Sequence, residues 1–291
     1  MNLMNAKSLI YSIFLSVFLS NLVLAQDDLL DVLEEERGET TDYTQAIFKG
    51  QRLINGHTVV TRKKCELEFL ISHRFGRVNT GINQFFGLDN ANVRFSLEYG
   101  LTDRLTTGIG RNSFQKVYDG FLKYKLLRQS TGLKNMPVTV TLFSSMAIRT
   151  QEEIQFDVDD FNAKVSTTHQ MLIARKFNES VSLQIAPTYV HRNKVFADQK
   201  NGIFALDMGG RFKLNKRMAI NVEYVYRLTE EISTLYNDSI GVGLEIETGG
   251  HVFHLSFTNS RSMVERGFIT ETTGDFFNGD IHFGFNISRV F

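Results

Sequence analysis

Apolar and polar residues alternate along most of this chain. Leu67, Phe69 and Ile71, with Cys65 before them, stand between Lys64, Glu66, Glu68 and Ser72. Val93, Phe95, Leu97, Tyr99 and Leu101 alternate with Arg94, Ser96 and Glu98. Such a period of two puts one set of side chains on each face of an extended strand. The pattern returns at Leu105–Ile109, Tyr118–Leu126, Val138–Ile148, Val165–Ile173, Val181–Tyr189, Phe204–Leu214, Met218–Tyr226, Ile240–Ile246, Phe253–Phe257 and Ile281–Ile287. That makes about twelve strands, each near the roughly 9–11 residues that cross a bilayer when tilted.

The connections between these segments sort by parity. After the second, sixth, eighth and tenth strands they are tight: GLTDR (100–104), KFNES (176–180), LNKR (214–217) and ETGG (247–250). The link after the fourth, RQSTGLKNM, is somewhat longer, and that after the third is intermediate. After the first, fifth, seventh, ninth and eleventh they are long and polar: 76–90, 150–162, 192–201, 229–238 and 259–278. Short and long connections alternate in barrels of the outer membrane, with tight periplasmic turns and longer outside loops. A soluble periplasmic β-sandwich, the competing reading, has no reason to sort its loops this way.

Alternation alone does not choose between these folds. One face carries Leu, Ile, Val, Phe and Tyr. The other carries Glu66, Glu68, Arg94, Glu98, Lys123, Asp207, Arg211, Glu223, Glu245 and Glu247. In a soluble protein the apolar face is core; in a membrane barrel it meets lipid and the charged face lines the lumen. Composition favours the barrel. One Cys, Cys65, allows no internal disulfide in an exported chain, and 2 Pro against 25 Phe is unlike a loop-rich secreted enzyme. The opening MNLMNAKSLIYSIFLSVFLSNLVLAQ has Lys7, an apolar stretch Leu9–Leu24 and Val23 and Ala25 before Gln26, which reads as a signal peptide cleaved after Ala25. Beyond it no apolar run approaches the roughly 18 residues of a membrane helix, so a membrane form must be a closed barrel. With 32 basic and 32 acidic residues, nothing points to nucleic acid as a partner.

The chain ends DIHFGFNISRVF, with Phe283, Phe285 and Ile287 on the apolar parity and Phe291 last. Outer-membrane barrel proteins are similar in ending on such a strand with a terminal Phe, which the barrel-assembly machinery reads. The resemblance implies that Phe291, Ile287, Phe285 and Phe283 form an assembly signal. Arg289 is a departure, since it occupies an outward parity.

Four further stretches, SHRFG (72–76), EYGLTDRLTTGIGR (98–111), DGFLKYKLLRQS (119–130) and ARKFNESVSLQIAPTYVHRN (174–193), together resemble an outer-membrane β-barrel family of unknown function from Gram-negative bacteria. The similarity covers about residues 45–291. It implies a fold and a location, with no functional residue to carry over.

The expected architecture is therefore all-β: a single antiparallel transmembrane barrel of about twelve strands (ten to fourteen), over residues 62–291. Residues 1–25 are the signal peptide. The acidic segment 26–61 is expected in the periplasm, either as a brief helix at the barrel mouth or as a mobile leader. Pro187 sits inside the seventh strand, where a closed sheet has no free edge for it, and is expected to mark a bulge.

No nucleophile elbow, phosphate loop, zinc-spaced cluster or dinucleotide fingerprint is present, so no catalytic residue, metal or cofactor is assigned. Ser72 and His73 are neighbours on opposite strand faces and do not pair. The remaining histidines, His169, His191, His251, His254 and His282, read as lining or interface residues. The chemistry-bearing residues are the charged ones. Arg74, Arg94, Arg111 and Arg192, with His191, are placed near the outer strand ends, and Glu66, Glu98, Arg211 and Glu223 along the lumen. A cationic mouth would focus small anionic solutes toward a narrow channel. The alternative is a non-conducting structural or partner-binding barrel, and a barrel-borne hydrolase stands behind both. The expected partners are outer-membrane lipid and the assembly machinery. Deleting Phe291, or replacing it with a charged residue, is expected to reduce membrane insertion far more than the loss of one exposed side chain would affect stability. Fractionation of the two variants checks this, and unchanged insertion would make the terminal pattern coincidental.

Overall fold

The computed structural model describes residues 40–151, 160–232 and 234–291. The expected signal peptide and residues 26–39 of the acidic segment, on which its expected helix falls, lie outside the described residues. Twelve strands close into one barrel. They are β1 (Leu67–Arg77), β2 (Ala91–Gly100), β3 (Leu105–Asn112), β4 (Val117–Leu127), β5 (Thr139–Arg149) and β6 (Val165–Lys176). The others are β7 (Val181–Arg192), β8 (Gly202–Lys213), β9 (Met218–Arg227), β10 (Ser239–Thr248), β11 (His251–Thr258) and β12 (His282–Val290). Each pairs antiparallel with its sequence neighbours, and β12 returns to β1 through Ile287↔Ile71 and Phe285↔His73. The seam is finished by reciprocal backbone bonds between Leu67 and Phe291, 3.2 and 2.8 Å long. The described residues up to Asp42 form, with Thr131–Asn135, a small unit of their own, in which the Leu133 N–H donates to Thr40 O.

The side chains are inside-out. Ile109 is 65% exposed and Phe204 58%, whereas Arg94 is 1% and Glu98 0% exposed. In water such a ring of open aliphatic and aromatic groups would be an association surface, so the distribution fits hydrocarbon outside and a polar lumen within. It separates the barrel from the sandwich, whose core would be apolar.

Pro187 does not create a bulge. Its partner across the β7–β8 ladder is Leu206, and the ladder runs on unbroken. Toward β6 the pairs Gln170↔Thr188 and Ile173↔Ile185 keep one register, and only the two positions between them are unpaired. The missing amide thus removes a rung without shifting a strand. The register slips instead at Lys125/Leu127 in β4 and at His282/Gly284 in β12.

The segment before β1 departs from expectation. Its described residues from Ile47 to Thr61 are buried, apart from half-buried Lys49 and Val60, and run inside the barrel instead of lying in the periplasm. They form a hairpin: Leu53 N–H donates to Gly56 O at 2.9 Å, Thr58 N–H to Gln51 O at 2.9 Å, and Arg52 bridges His57. From the opposite end the connection after β11 folds inward and carries one short helix, α1 (Glu265–Thr270), all of it buried. Roughly eight strands give an interior that wall side chains fill unaided. Twelve leave room, which the hairpin and this loop occupy.

A closed barrel with this many ladders should stay folded in detergent. Unheated protein is expected to run as a compact band on a gel and to shift on boiling; a single unshifted band, with recovery from cells without detergent, would contradict the fold.

Candidate functional site

The hairpin has two unlike faces. Ile47, Phe48, Leu53 and Val59 pack with Phe121 (β4), Phe143 (β5), Leu172 and Ala174 (β6) and Ala186 (β7) in a dry cluster. The His57 ring is set against Phe121 and Phe143, with centroids 4.6 and 4.4 Å away. The other contacts are polar and reach most of the wall. Val59 N–H donates to Gln184 Oε1 (3.0 Å) while Gln184 Nε2 donates to His57 O (2.7 Å). Thr141 Oγ1 donates to Val59 O at 3.0 Å and Lys123 Nζ to Thr58 O at 3.2 Å. Lys49 pairs with Glu247 at 2.9 Å.

The hairpin tip, Leu53–Gly56, is held from both sides. Glu223 of β9 accepts from the backbone N–H groups of Ile54 (3.1 Å), Asn55 (3.1 Å) and Gly56 (2.9 Å). A carboxylate set in three successive amides satisfies donors that burial would otherwise orphan. Across the lumen Arg74 of β1 donates to Ile54 O (3.2 Å) and Asn55 Oδ1 (3.1 Å), Asn286 Nδ2 to Ile54 O (3.0 Å), and His254 Nδ1 lies 3.0 Å from Leu53 O. Backbone and wall come close here: a Cβ on Gly56 would sit 2.6 Å from Asp207 Oδ2, and one on Gly209 2.2 Å from Leu53 Cδ2.

Hairpin and inward loop meet at Glu265, whose Oε1 lies 2.6 Å from Arg52 Nη1 and 3.5 Å from His57 Nε2, all three side chains buried. The loop is anchored by Phe268 and Ile269, packed on Val190, Ala205 and Val225 of β7–β9. Full burial of such side chains stabilises by roughly 1.5–3 kcal/mol each. Other charged pairs line the wall: Arg94 with Asp119 (Nε 3.2 Å), Arg211 with Glu245 (2.7 Å), and Arg192 with Glu231 (2.8 Å). Toward β1 and β2 the packing is less complete. Buried side-chain atoms of Gln51, Arg52, His57, Glu68 and Glu98 make no direct protein hydrogen bond. Groups of this kind are ordinarily satisfied by buried water.

The sequence-derived residues fall into three groups. Arg74, Arg94, Glu98, Arg211 and Glu223 point into the lumen as expected, and Arg192 is buried at the long-loop end. Arg111 does not: it has outward parity on β3, is exposed, and lays its guanidinium 5.5 Å from the Tyr118 ring centroid, with Nε donating to the phenol. Glu66 precedes β1 in the short turn, where it accepts from Lys63 N–H, and is not a lumen residue. His191 is also outward, beside Tyr189. Phe283, Phe285 and Ile287 lie on the outer face of β12, and Arg289 stacks over Phe291 at 4.8 Å. Of the histidines, His254 and His282 face inward and His73, His169 and His251 outward. Ser144 Oγ lies 3.0 Å from His169 Nδ1, a pair between adjacent strands on the outer face. No carboxylate orients the ring among the described residues, and the neighbouring amides belong to the ladder, so the orienting group and oxyanion donors of a hydrolase are lacking.

Two cavities flank the hairpin. At the short-turn end, about 540 Å³ is bounded by Lys63, Lys125, Arg128 and Asp103 among hairpin residues. At the long-loop end, about 480 Å³ is bounded by Arg77, Arg149, Lys194, Arg261 and Arg266, with Glu271 the one acid among the described lining residues. Arg266 pairs with Glu271 at 2.5 Å and Arg77 with Asp280 at 3.1 Å. The Asn79 amide, above all, holds the Asp280 carboxyl below its ordinary range. Arg261 instead lies 4.8 Å from the Phe114 ring centroid with no carboxylate partner among the described residues; burial and then the neighbouring Arg77 push its guanidinium below the usual range. None of the hairpin, the inward loop or these cavities was legible as a site beforehand, although Asn55-Gly56 between apolar residues is a hairpin signal.

These features define a membrane β-barrel whose lumen is filled by its own chain. The chain belongs to the family described as a membrane bound beta barrel domain (DUF5777), whose model matches residues 48–291 and so includes most of the hairpin. With its apolar outer face, short turns and long loops, it is an outer-membrane β-barrel. A search of curated proteins finds no match. Among solved structures it is similar to the KdgM porin (8% identity, 78% of this chain and 99% of that one, TM-score 0.46). It is also similar to the COG4313 outer membrane channel from Pseudomonas putida F1 (11%, 80% and 97%, TM-score 0.45). A third is outer membrane phospholipase A from Escherichia coli (12%, 81% and 95%, TM-score 0.43).

The tip contacts generate a direct test. Glu223→Ala removes the acceptor of three amides, and a hydrogen bond to a charged group contributes about 1.5–3 kcal/mol. Hydrogen exchange at Ile54, Asn55 and Gly56 is therefore expected to accelerate by roughly 10–100-fold, with Glu223→Gln between the two. Unchanged exchange in the alanine variant would show that the tip is held elsewhere.

Proposed function

We propose that this barrel is a gated, narrow channel for small anionic solutes, shut in the conformation described by its own hairpin and inward loop. One observation carries the reading: among the described residues a cation-lined cavity stands at each end of the lumen, and the hairpin and inward loop lie between them. Rings of one sign raise the local concentration of the opposite charge and select for it. The gate is polar enough to move. Its hold on the wall rests on Glu223, Arg74, Gln184 and the Arg52–Glu265 pair, and the β1–β2 side is incompletely paired. The alternative, a non-conducting structural or partner-binding barrel, is favoured by the dry cluster on the other side of the hairpin. An enzymatic role has no comparable support, since the outer-face Ser144–His169 pair lacks its auxiliaries. Assembly through Phe291 and the outer face of β12 belongs to the same proposal.

Planar-bilayer recording separates the readings. Wild-type protein is expected to show rare, brief openings. Glu223→Ala combined with Arg52→Ala should give discrete, anion-preferring conductance, unaffected by Arg111→Ala on the outer surface. A sealed double variant that still shows the heat-dependent gel shift would overturn the channel in favour of the structural barrel.

A further inference from the structure

The long-loop cavity has features that a general cationic mouth does not need. It combines cations with aromatic surface from Phe114, Phe196 and Tyr236 and a polar floor that includes Ser262, Thr273 and His282. At about 480 Å³ it has the size of a small-ligand pocket, for which roughly 300–1,000 Å³ is usual. Its cations are fixed in place. The Arg266 guanidinium is tied to Gln115 and Glu271, and Arg77 to Asp280 and Thr273. Arg261, positioned by the Phe114 ring, has no carboxylate partner among the described residues. Its side chain is exposed, so a dissolved anion can reach the charge. The His282 Nδ1 lies 2.8 Å from Phe75 O, so the neutral ring can donate there and offer Nε2 as an acceptor on the floor.

We infer that this cavity is a specific binding site for a small, ring-bearing organic anion carrying more than one carboxylate or phosphoryl group. Arg261 is the anchoring residue, Arg266 and Arg77 are flanking cations, and Phe114 and Tyr236 are ring contacts. The inference deepens the channel reading by naming the class of solute the outer mouth would capture. A guanidinium presents a flat fork that matches a carboxylate or phosphoryl edge, and the aromatic walls accept a flat body that a hydrated inorganic ion lacks. The cavity lies within the ring of strands and loops, away from the lipid-facing surface, which points to a dissolved anion in preference to a lipid headgroup.

Calorimetric titration of full-length, detergent-solubilised protein with trimesate, a flat benzene tricarboxylate, tests the site without requiring conduction. Saturable binding at one site is expected. It should weaken about tenfold in Arg261→Gln, by the loss of one charge-assisted contact, and less in Arg261→Lys. Arg111→Gln should match wild type, and phloroglucinol, the flat neutral control, should not bind. The heat-dependent gel shift verifies that each variant is folded. Absence of saturable trimesate binding, equal binding by Arg261→Gln, or equal binding of phloroglucinol overturns the site. A sealed barrel that binds trimesate through Arg261 refutes the channel and leaves the site standing.

Discussion

Hydrocarbon offers no hydrogen-bond partner to a backbone, and the rest of this structure follows from that. An unpaired amide or carbonyl in lipid costs several kcal/mol, so a chain crossing as strands must close its sheet. Here the last barrel-length strand returns to the first, and Leu67 and Phe291 exchange the final backbone bonds. Closure then sorts the side chains. Most of what faces out is apolar, and most charged residues on the strands are driven into the lumen, where a buried charge needs a partner.

Twelve strands enclose more space than their inward side chains fill, and this chain supplies the remainder from both ends. The apolar cluster of the hairpin lies toward β4–β7, where Lys123, Thr141 and Gln184 also bond its backbone, whereas its contacts toward β9, β11, β12 and β1 are mainly polar. One side resembles a protein core, and the other is a series of separable hydrogen bonds and ion pairs. Such an arrangement holds firmly along one wall and can release along the other. Buried side-chain atoms with no direct protein hydrogen bond occur on β1 and β2, in Glu68 and Glu98, and also in Gln170, Arg192 and Asn221 of β6, β7 and β9. The inward loop is anchored by Phe268 and Ile269 and touches the hairpin through Glu265, which faces both Arg52 and His57, so the two halves of the stopper are joined at one buried carboxylate among the described residues.

The barrel was legible because its signals are local and repeated. Period-two patterning marks each strand, and loop length marks which end of the barrel a connection occupies. Parity correctly turned Arg74, Arg94, Glu98, Arg211 and Glu223 inward. It failed for Glu66, which precedes the strand; Arg111 shares the outward parity of Leu105 and Ile109, and its charge alone suggests the mouth. An arginine at a strand end can stay outside when an aromatic such as Tyr118 receives it. The stopper was illegible for a different reason. Ile47–Val60 carries apolar residues and Asn55-Gly56, which read equally well as a hairpin anywhere, and its destination is set by Glu223, Arg74 and Gln184, far away in sequence. Nothing local in the connection after β11 says that it folds inward. Pro187 looked costly for a closed sheet, yet a ladder of this length passes over one missing rung without changing register.

The hairpin is joined to β1 by only the few residues from Arg62 to Glu66, and β1 is the strand that β12 must find to complete the ring. So short a tether keeps the hairpin at a high effective concentration beside the lumen, whether it enters before the two edges meet or through the open end afterwards. Its contacts reach most of the wall, so stopper and barrel stabilise one another. Residues such as Glu223 and Gln184 therefore tie the rigidity of the sheet to the closure of the lumen, and loosening one loosens the other.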